Sequence, residues 1–462
     1  MGLLSGIKFV LYSAGVVCAE YVKYKCRRWI VRAFPRDNQQ NWQNQESECY
    51  NAMIKAIGTK FAATNIYYIK MFQALAYSAD FAANDELIAY FRDYTDNVAF
   101  TESEYSVSEL AELSEYAKTV GYELSFFEDG GDSDPIVPAK SGSISLVFYG
   151  TICKLEQSSS PSPSPTPIVV KYLRANMRER VMKSIDDFKY LVWCLNKIPS
   201  LRYLHLNDIY NEQRVLMMDQ LDFAKEAACI GEVYENCKEM RCITVPVTYA
   251  EFTAKFPNLI VMERIMGKTL DQLDDDVKDH YCHILARGLV KTVFIDGLYH
   301  CDLHPGNVLF IEGDGDRDDA SKYRIGLLDF GIIGRITVEE QELTYQVFHS
   351  FLNKDADRVM SILIESYTEP VDVSREYNRD EPEMNDVLLR YMRKMTETVV
   401  TCFSAENLCF INKQLIKNNL KIAQSFTKFE LSLSVCDNLC KKLAVNRSYM
   451  NHLTEIISDV FE

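Results

Sequence analysis

Apolar residues recur every three or four positions between residues 51 and 124, which is the spacing of one face of an α-helix. Ile66, Ile69 and Phe72 are examples, and no proline interrupts the run. At Glu128 this pattern gives way to EDGGDSDP, whose glycines and aspartates are typical of a boundary loop. The pattern therefore predicts a helical segment that precedes a differently built domain.

Alternating apolar and polar residues follow, first in ISLVFYGTICKLEQ and then in IVVKYLR, and they predict two β-strands. The stretch between them, residues 158–167, is rich in Ser and Pro. Because proline lacks the amide donor that a sheet requires, this stretch cannot pair as a strand. We expect an extended insertion in a hairpin.

The first residues are strongly apolar. The run from Leu3 to Ala19 has about the minimum length of a membrane-spanning helix, and Lys8 interrupts it. Basic residues follow at Lys23, Lys25, Arg27, Arg28, Arg32 and Arg36. This asymmetry predicts membrane attachment with the rest of the chain on the cytoplasm-like side. The alternative is an amphipathic helix that lies on a surface or packs on the protein body.

Charge and cysteine content narrow the classes of partner and compartment. The 462-residue chain has a formal net charge of -16, which argues against nucleic acid because phosphate binding needs clustered Lys and Arg. Its 14 Cys residues are scattered, without the paired spacing of a cysteine zinc site. We therefore expect a reducing compartment such as the cytosol or an organelle matrix.

The decisive motif is YHCDLHPGNVLF, from Tyr299 to Phe310, followed after an acidic loop by IGLLDFGIIG. An Asp, an Asn five residues later and a downstream Asp-Phe-Gly form the catalytic-loop layout of kinases. Phosphoryl transfer needs Mg²⁺ on the nucleotide phosphates, and oxygen atoms of Asn307 and Asp329 suit that ion. Asp302 would orient the acceptor hydroxyl or take its proton. The motif predicts a phosphotransfer site that uses ATP and Mg²⁺.

Two further stretches fit the same kind of site. The strand VVK ends in Lys171, which would bind phosphate, and Glu226 lies in a helical pattern that would hold this lysine. The apolar strand LIVMERIMG has the pattern of a kinase hinge, where the backbone from Glu263 to Ile265 would meet adenine. The alternatives are an edge-strand lysine and a solvated helical glutamate.

With these residues in place, the chain resembles the UbiB/ADCK atypical kinase family. Lys70 and Gln73 match two positions of the family's Lys-x-Gly-Gln motif, which folds over the active site, although Phe72 replaces the glycine. In that family an Ala-rich loop replaces the Gly-rich nucleotide loop. The resemblance implies that KSGSISLV, with Gly142 and Ser143, is that loop here.

The resemblance also implies a function in ubiquinone-like or other isoprenoid-lipid metabolism, with ATP chemistry coupled to a lipid and with protein partners in a lipid-biosynthetic complex. The family's Glu-x-Asp motif is present only as Gln220-Leu221-Asp222. After Gly331 there is no Ala-Pro-Glu, so the peptide-docking platform of protein kinases is not expected.

The predicted fold is α+β: a bilobal protein-kinase-like fold with an N-terminal helical extension and a helical C-terminal tail. The predicted segments are a membrane-associated N-terminus (1–40), the extension (41–135), an N-lobe (136–265), a catalytic C-lobe region (266–345) and a helical region (346–462). Two other functions stay open: a small-molecule phosphotransferase of the aminoglycoside or choline kinase type, and a nucleotide-binding pseudokinase scaffold.

Overall fold

We describe the fold from a computed structural model. Its described residues are 2–33, 39–69, 86–87, 90, 98–127, 136–155, 164–197, 206–313, 322–355, 357–359, 361–362, 368–370, 420–422, 436, 439–444, 452–453 and 455–456. The helices among them are α1 (Gly2–Ala33), α2 (Gln39–Ala62), α3 (Val107–Thr119), α4 (Met177–Leu195), α5 (Leu206–Asp219), α6 (Phe223–Cys237), α7 (Ala250–Lys255), α8 (Asp275–Val290) and α9 (Val338–Leu352). The strands are β1 (Tyr122–Phe127), β2 (Lys140–Ser141), β3 (Ser145–Lys154), β4 (Thr166–Leu173), β5 (Ile243–Thr244), β6 (Leu259–Glu263), β7 (Leu298–His300), β8 (Val308–Glu312), β9 (Tyr323–Leu327), β10 (Ile333–Arg335), β11 (Thr368–Pro370) and β12 (Leu420–Ile422).

The chain divides into two compact units. The first comprises residues 1–224 and 249–261, and the second comprises residues 225–248 and 262–462. This division differs from the predicted N-lobe at 136–265, because residues 225–248 belong to the second unit. Within the second unit, the guanidinium of Arg335 on β10 donates two hydrogen bonds to the carboxylate of Glu232 on α6.

Helix α1 is docked on its own unit along one side. Its buried positions recur every three or four residues, at Gly6, Phe9, Ser13, Val16 and Glu20. The ring of Phe9 lies 6.3 Å from that of Phe188 on α4. The carboxylate of Glu20 accepts a hydrogen bond of 2.7 Å from Lys60 on α2. The helix is therefore packed against α2 and α4 instead of projecting from the body.

The prediction of helix as far as residue 124 is wrong at its end. Helix α3 stops at Thr119, and Gly121 follows with a φ of +86°, a left-handed conformation that glycine adopts without strain. The chain then enters β1, which pairs antiparallel with β3 and sets Leu124 opposite Ile152. Pairing with β3, which comes later in the chain, therefore makes residues 122–127 a strand instead of a continuation of the helix.

The core of the first unit lies between a five-stranded sheet and helices α3 and α7. The sheet has the order β1-β3-β4-β6, with β2 beside β3. Every second residue of a strand faces the core, as the two-residue period of a strand requires: Leu146, Phe148 and Ile152 on β3, and Ile168, Val170 and Tyr172 on β4. Gly150 fills an inward position where a Cβ would lie 2.5 Å from the carbonyl oxygen of Ser125.

The predicted Ser/Pro insertion, residues 158–167, ends earlier than expected, because its last two residues belong to a strand. Residues 156–163 lie outside the described residues, and β4 begins at Thr166. Pro167 is paired opposite Thr151 near the start of this strand, where a missing amide donor is tolerated. Thr166 and Pro167 therefore belong to the strand.

A three-stranded sheet organises the second unit, with β9 between a parallel β5 and an antiparallel β8. Helix α8 packs on it: the ring of Tyr281 meets that of Phe310 edge-on at 5.0 Å. On the same helix, a Cβ added to Gly288 would lie 2.7 Å from the side chain of Ile243. A further strand pair, β7 with β10, completes the frame of the catalytic motif.

The C-terminal region is only partly helical among its described residues. Helix α9 agrees with the prediction, and helical residues recur near 440 and 453. However, β11 and β12 form an antiparallel pair in which Thr368 faces Ile422. The apolar-polar-apolar order of Leu420, Lys421 and Ile422 fits that strand. Helices and antiparallel sheets together confirm the predicted α+β class.

Arg174 fixes the loop between β2 and β3. Its side chain is 2% exposed. Its guanidinium donates to the carbonyl oxygens of Ala99 (3.2 Å), Val98 (3.1 Å) and Gly142 (2.7 Å), to Oγ of Ser141 (2.5 Å) and to the carboxylate of Glu104 (2.7 Å). A buried cation with this many acceptors stabilises the fold only while the acceptors stay in place.

We expect Arg174→Met to lower the free energy of unfolding by about 3–5 kcal/mol, because it leaves Glu104 without its buried partner. Arg180 pairs with the same carboxylate at 2.9 Å but is 48% exposed, so Arg180→Met should cost at most about 1 kcal/mol. Urea unfolding of both variants measures the difference. Equal losses would contradict the assigned role of Arg174.

Candidate active site

Two strand pairs frame the catalytic motif. In one, His300 on β7 lies opposite Ile333 on β10, and in the other Val308 on β8 lies opposite Leu327 on β9. The segments 301–307 and 328–332 connect these strands. Two loops that are far apart in sequence are therefore held next to each other by backbone pairing.

His300 joins the two loops. Its Nδ1 accepts a hydrogen bond of 3.1 Å from the backbone amide of Asp302, and its Nε2 contacts the backbone carbonyl oxygen of Asp329. Because Nδ1 accepts, the proton must be on Nε2, which then donates to the carbonyl. This is the neutral form of the ring. Burial lowers the pKa of His300, which favours the same form.

Asn307 adds a second link between the loops. Its side-chain Nδ2 donates to the carbonyl oxygen of Asp302 at 2.8 Å, and its own carbonyl oxygen accepts from the amide of Leu328 at 3.0 Å. With Nδ2 used in this way, Oδ1 is the side-chain atom of Asn307 that can ligate a cation. Asn307 lies directly before β8 in the chain and is buried.

The carboxylates of Asp302 and Asp329 differ in their surroundings. The Asp302 side chain is 35% exposed, and its Oδ2 lies 4.0 Å from Nε2 of His304. Nδ1 of His304 accepts from the amide of Gly306 at 3.1 Å, which orients the ring. Oδ1 of Asp329 accepts from the amide of Gly331 at 2.9 Å. Both residues are partly exposed, and the carboxylate of Asp302 is open to an acceptor hydroxyl.

The donor set fits a magnesium ion. Asp329 and Asn307 supply carboxylate and amide oxygens, the hard ligands that Mg²⁺ prefers, and their loops are fixed by backbone hydrogen bonds. When bound, Mg²⁺ would neutralise charge on nucleotide phosphates. The predicted residues Asp302, Asn307 and Asp329 thus come together in one part of the second unit.

The predicted nucleotide loop is a tight turn in the first unit. The amide of Gly142 donates to the carbonyl oxygen of Ser145 at 2.9 Å, which closes the turn between β2 and β3. Ser143 is buried in this turn, and the guanidinium of Arg174 donates a hydrogen bond to the carbonyl oxygen of Gly142. No sequence pattern indicates the role of Arg174, because its five acceptors come from other segments of the chain.

Lys171 and Glu226 lie in different compact units. Lys171 is on β4 opposite Val147, and its ammonium group lies 5.5 Å from the centre of the Phe223 ring. Glu226 is in the first turn of α6 and is buried. Their pairing stays a prediction.

The remaining predicted residues are placed only in part. The amide of Glu263 donates to the carbonyl of Val247 at 2.9 Å. Ile265 packs over Gly326 of β9, where a Cβ would lie 2.6 Å from Cγ2 of Ile265. Lys70 and Gln73 lie outside the described residues.

The loop that carries Asp302 and Asn307, joined through a histidine to an Asp-Phe-Gly turn, defines a protein-kinase-like catalytic region. Residues 140–363 match the family described as the ABC1 atypical kinase-like domain. This match, together with relatives named UbiB, confirms the resemblance to the UbiB/ADCK atypical kinase family seen in the motifs.

Curated relatives carry the same family name. The "Probable protein kinase UbiB" of Cronobacter sakazakii is 28% identical over 262 residues, which cover 54% of this chain and 44% of the relative. The protein of that name from Glaesserella parasuis is 31% identical over 219 residues, which cover 44% and 37%. The chain thus spans less than half the length of these relatives. The solved structure of a Mycobacterium tuberculosis protein in complex with erythromycin superposes on this chain with a TM-score of 0.43 and 15% sequence identity. The superposition covers 66% of this chain and 73% of that one, and a TM-score this low does not establish a common fold.

The neutral state of His300 predicts a pH dependence of stability. The unfolded chain binds a proton at the ordinary histidine pKa of about 6.5, whereas the folded chain resists it. The contribution of neutral His300 to the free energy of unfolding is therefore fully present above about pH 6.5. It falls as the pH drops, by up to about 1.4 kcal/mol per pH unit.

His300→Gln removes this titrating group, so its stability should fall less between pH 7.5 and 5.5 than that of the wild type. Urea unfolding at both pH values measures this. His349→Gln, at an exposed position of α9, is the control and should behave as wild type. An unchanged pH dependence in His300→Gln would contradict the neutral bridge.

Proposed function

We propose that this chain is an ATP-binding atypical kinase or ATPase whose phosphoryl chemistry depends on Mg²⁺. The observation that carries the proposal is the linkage of the Asp302 and Asp329 loops by His300 and Asn307. Phosphoryl transfer requires little covalent chemistry from the protein, so fixed positions for metal ligands and acceptor are its main contribution.

Each residue has a distinct role in this proposal. Asp329 and Asn307 hold Mg²⁺ against the nucleotide phosphates, and Asp302 orients the acceptor hydroxyl or water and takes its proton. Lys171 binds phosphate, with Glu226 as its partner. These roles follow the order and residue types of the kinase motif.

The nucleotide would use backbone groups as well. We propose that the loop at Gly142 and Ser143 binds phosphate and that the backbone from Glu263 to Ile265 meets adenine. Lys70 and Gln73 would act over the nucleotide, as the family resemblance implies. Substituting each of these residues and measuring ATP affinity tests its assignment.

A lipid or a small polar acceptor is favoured over a protein substrate. Only β10 and two residues separate Ile332 from the start of α9 at Val338. This leaves no room for the long activation segment on which protein kinases dock peptides. By family resemblance the acceptor or effector belongs to isoprenoid-lipid metabolism, with protein partners in a lipid-biosynthetic complex.

Asp329→Asn should abolish most of the stabilisation that Mg²⁺-ATP gives, because the amide keeps the hydrogen bond from Gly331 but loses the charge that attracts the ion. Thermal-shift titration with Mg²⁺-ATP measures this. Asp275→Asn, at a 75% exposed carboxylate of α8, is the control. Equal stabilisation of Asp329→Asn and wild type would remove the metal assignment.

The pseudokinase alternative has two observations in its favour. Phe72 stands in place of the motif glycine, and the side-chain oxygen of Gln220 is buried without a hydrogen-bond partner within the described ranges. A protein that binds Mg²⁺-ATP but releases no ADP would be such a scaffold.

We also propose that α1 attaches the protein to a membrane by lying in its surface. The helix from Leu4 to Val31 is long and apolar enough to cross a membrane by length and composition. One of its sides is packed on α2 and α4, which carry many charged residues. A spanning orientation would draw those charges toward the hydrocarbon, at high cost.

The free side of α1 suits the interface of an anionic membrane. Its exposed apolar side chains are Leu4, Ile7, Leu11, Tyr12, Val17, Tyr21, Val22, Trp29 and Ile30. Lys8, Lys23 and Lys25 are exposed beside them. Apolar burial and attraction of basic residues to acidic headgroups would act together.

Leu11→Ser combined with Trp29→Ser should reduce binding to anionic liposomes at least about tenfold, since each exposed apolar side chain contributes about 1.5–3 kcal/mol when buried. Flotation measures binding. Met266→Ser with Val338→Ser, also exposed but in the second unit, is the control. Undiminished flotation of the α1 variant would place the attachment elsewhere.

A further inference from the structure

Three metal-ligating side chains converge in the second unit, away from the catalytic motif in sequence. His283 lies on α8, and His452 and Glu455 are helical residues near the C-terminal end of the described chain. One ligand atom from each lies within 4.8 Å of the other two. The two imidazole rings meet edge-on, with centroids 5.7 Å apart.

The spacing explains how two of the ligands come together. His452 and Glu455 are three residues apart, so on a helix they lie on the same face, one turn from each other. His452 is 2% exposed, whereas Glu455 is exposed and His283 is intermediate. The cluster therefore has a buried end and an end that is open to water.

We propose that His283, His452 and Glu455 form a zinc site that joins α8 to the C-terminal helical residues. Two imidazoles and a carboxylate are ligands that Zn²⁺ accepts, and water at the open end would complete a tetrahedron. Ligand atoms bound at about 2.1 Å in a tetrahedron lie about 3.4 Å apart. Side-chain shifts of about 1 Å would bring the cluster to this geometry.

Packing around the cluster supports a site that fastens the two segments. Sγ of Cys282 contacts the carbonyl oxygen of Cys440 at 3.8 Å, and Leu453 and Ile456 are buried on either side of Glu455. The nearby thiols are not equivalent ligands. Burial raises the pKa of the Cys440 thiol well above its ordinary value, so the metal-binding thiolate is disfavoured there.

This site is independent of the proposed nucleotide site and differs from it in metal preference. Nitrogen ligands favour Zn²⁺ over Mg²⁺, which prefers oxygen ligands. An excess of Mg²⁺ should therefore leave zinc binding unchanged. Binding of zinc would persist even if the chain bound no ATP.

The test uses the full chain without a histidine tag, loaded with Co²⁺ or Zn²⁺ in excess Mg²⁺. Equilibrium dialysis should find one Zn²⁺ per chain, and Glu455→Gln and His283→Gln should each weaken it at least about tenfold, since loss of a ligand costs at least as much as loss of a supporting contact. His349→Gln should bind as wild type does. Circular dichroism checks that each variant is folded.

The spectrum of the Co²⁺ form separates this site from binding by cysteines. We expect visible bands of a tetrahedral or five-coordinate ion without the near-ultraviolet absorption of a thiolate ligand. Thiolate absorption would overturn the proposal. So would zinc binding that is equal in Glu455→Gln, His283→Gln and wild type, or the absence of stoichiometric binding to the wild type.

Discussion

The candidate active site depends on a single neutral histidine. His300 accepts from the amide of Asp302 through Nδ1 and contacts the carbonyl of Asp329 through Nε2. Both bonds exist together only when the ring carries one proton, on Nε2. Burial favours that state, because it disfavours the charged ring. The relative placement of the carboxylates that would bind metal and acceptor follows from the protonation state of this ring.

The first unit supports its own proposed nucleotide-binding groups in a different way. Lys171 lies on a central strand of a sheet whose inner face is closed by apolar side chains, so its backbone is rigid. The loop at Gly142 is held by the guanidinium of Arg174, which is stabilised by Glu104 and by several backbone carbonyls. The buried guanidinium of Arg174 is tolerated because it has many acceptors, since a buried charge without partners is costly.

The sequence predicted what is local in the chain and missed what depends on distant segments. Asp302, Asn307 and Asp329 stand in short motifs whose residue types and spacing identify them without the fold. Arg174 could not be found in this way, because its acceptors at Val98 and Gly142 are brought to it by the fold. The strand at 122–127 was hidden for the same reason: its apolar residues also fit a helix, and only pairing with β3 decides between them.

We propose that the loops joined by His300 catalyse phosphoryl chemistry. ATP hydrolysis by the purified chain, in the presence and absence of Mg²⁺ and of anionic lipid vesicles, tests it most directly. We expect ADP release that requires Mg²⁺ and that falls to background when Asp302 is replaced by Asn. ADP release that is equal in Asp302→Asn and wild type, or no release with or without vesicles, would contradict it.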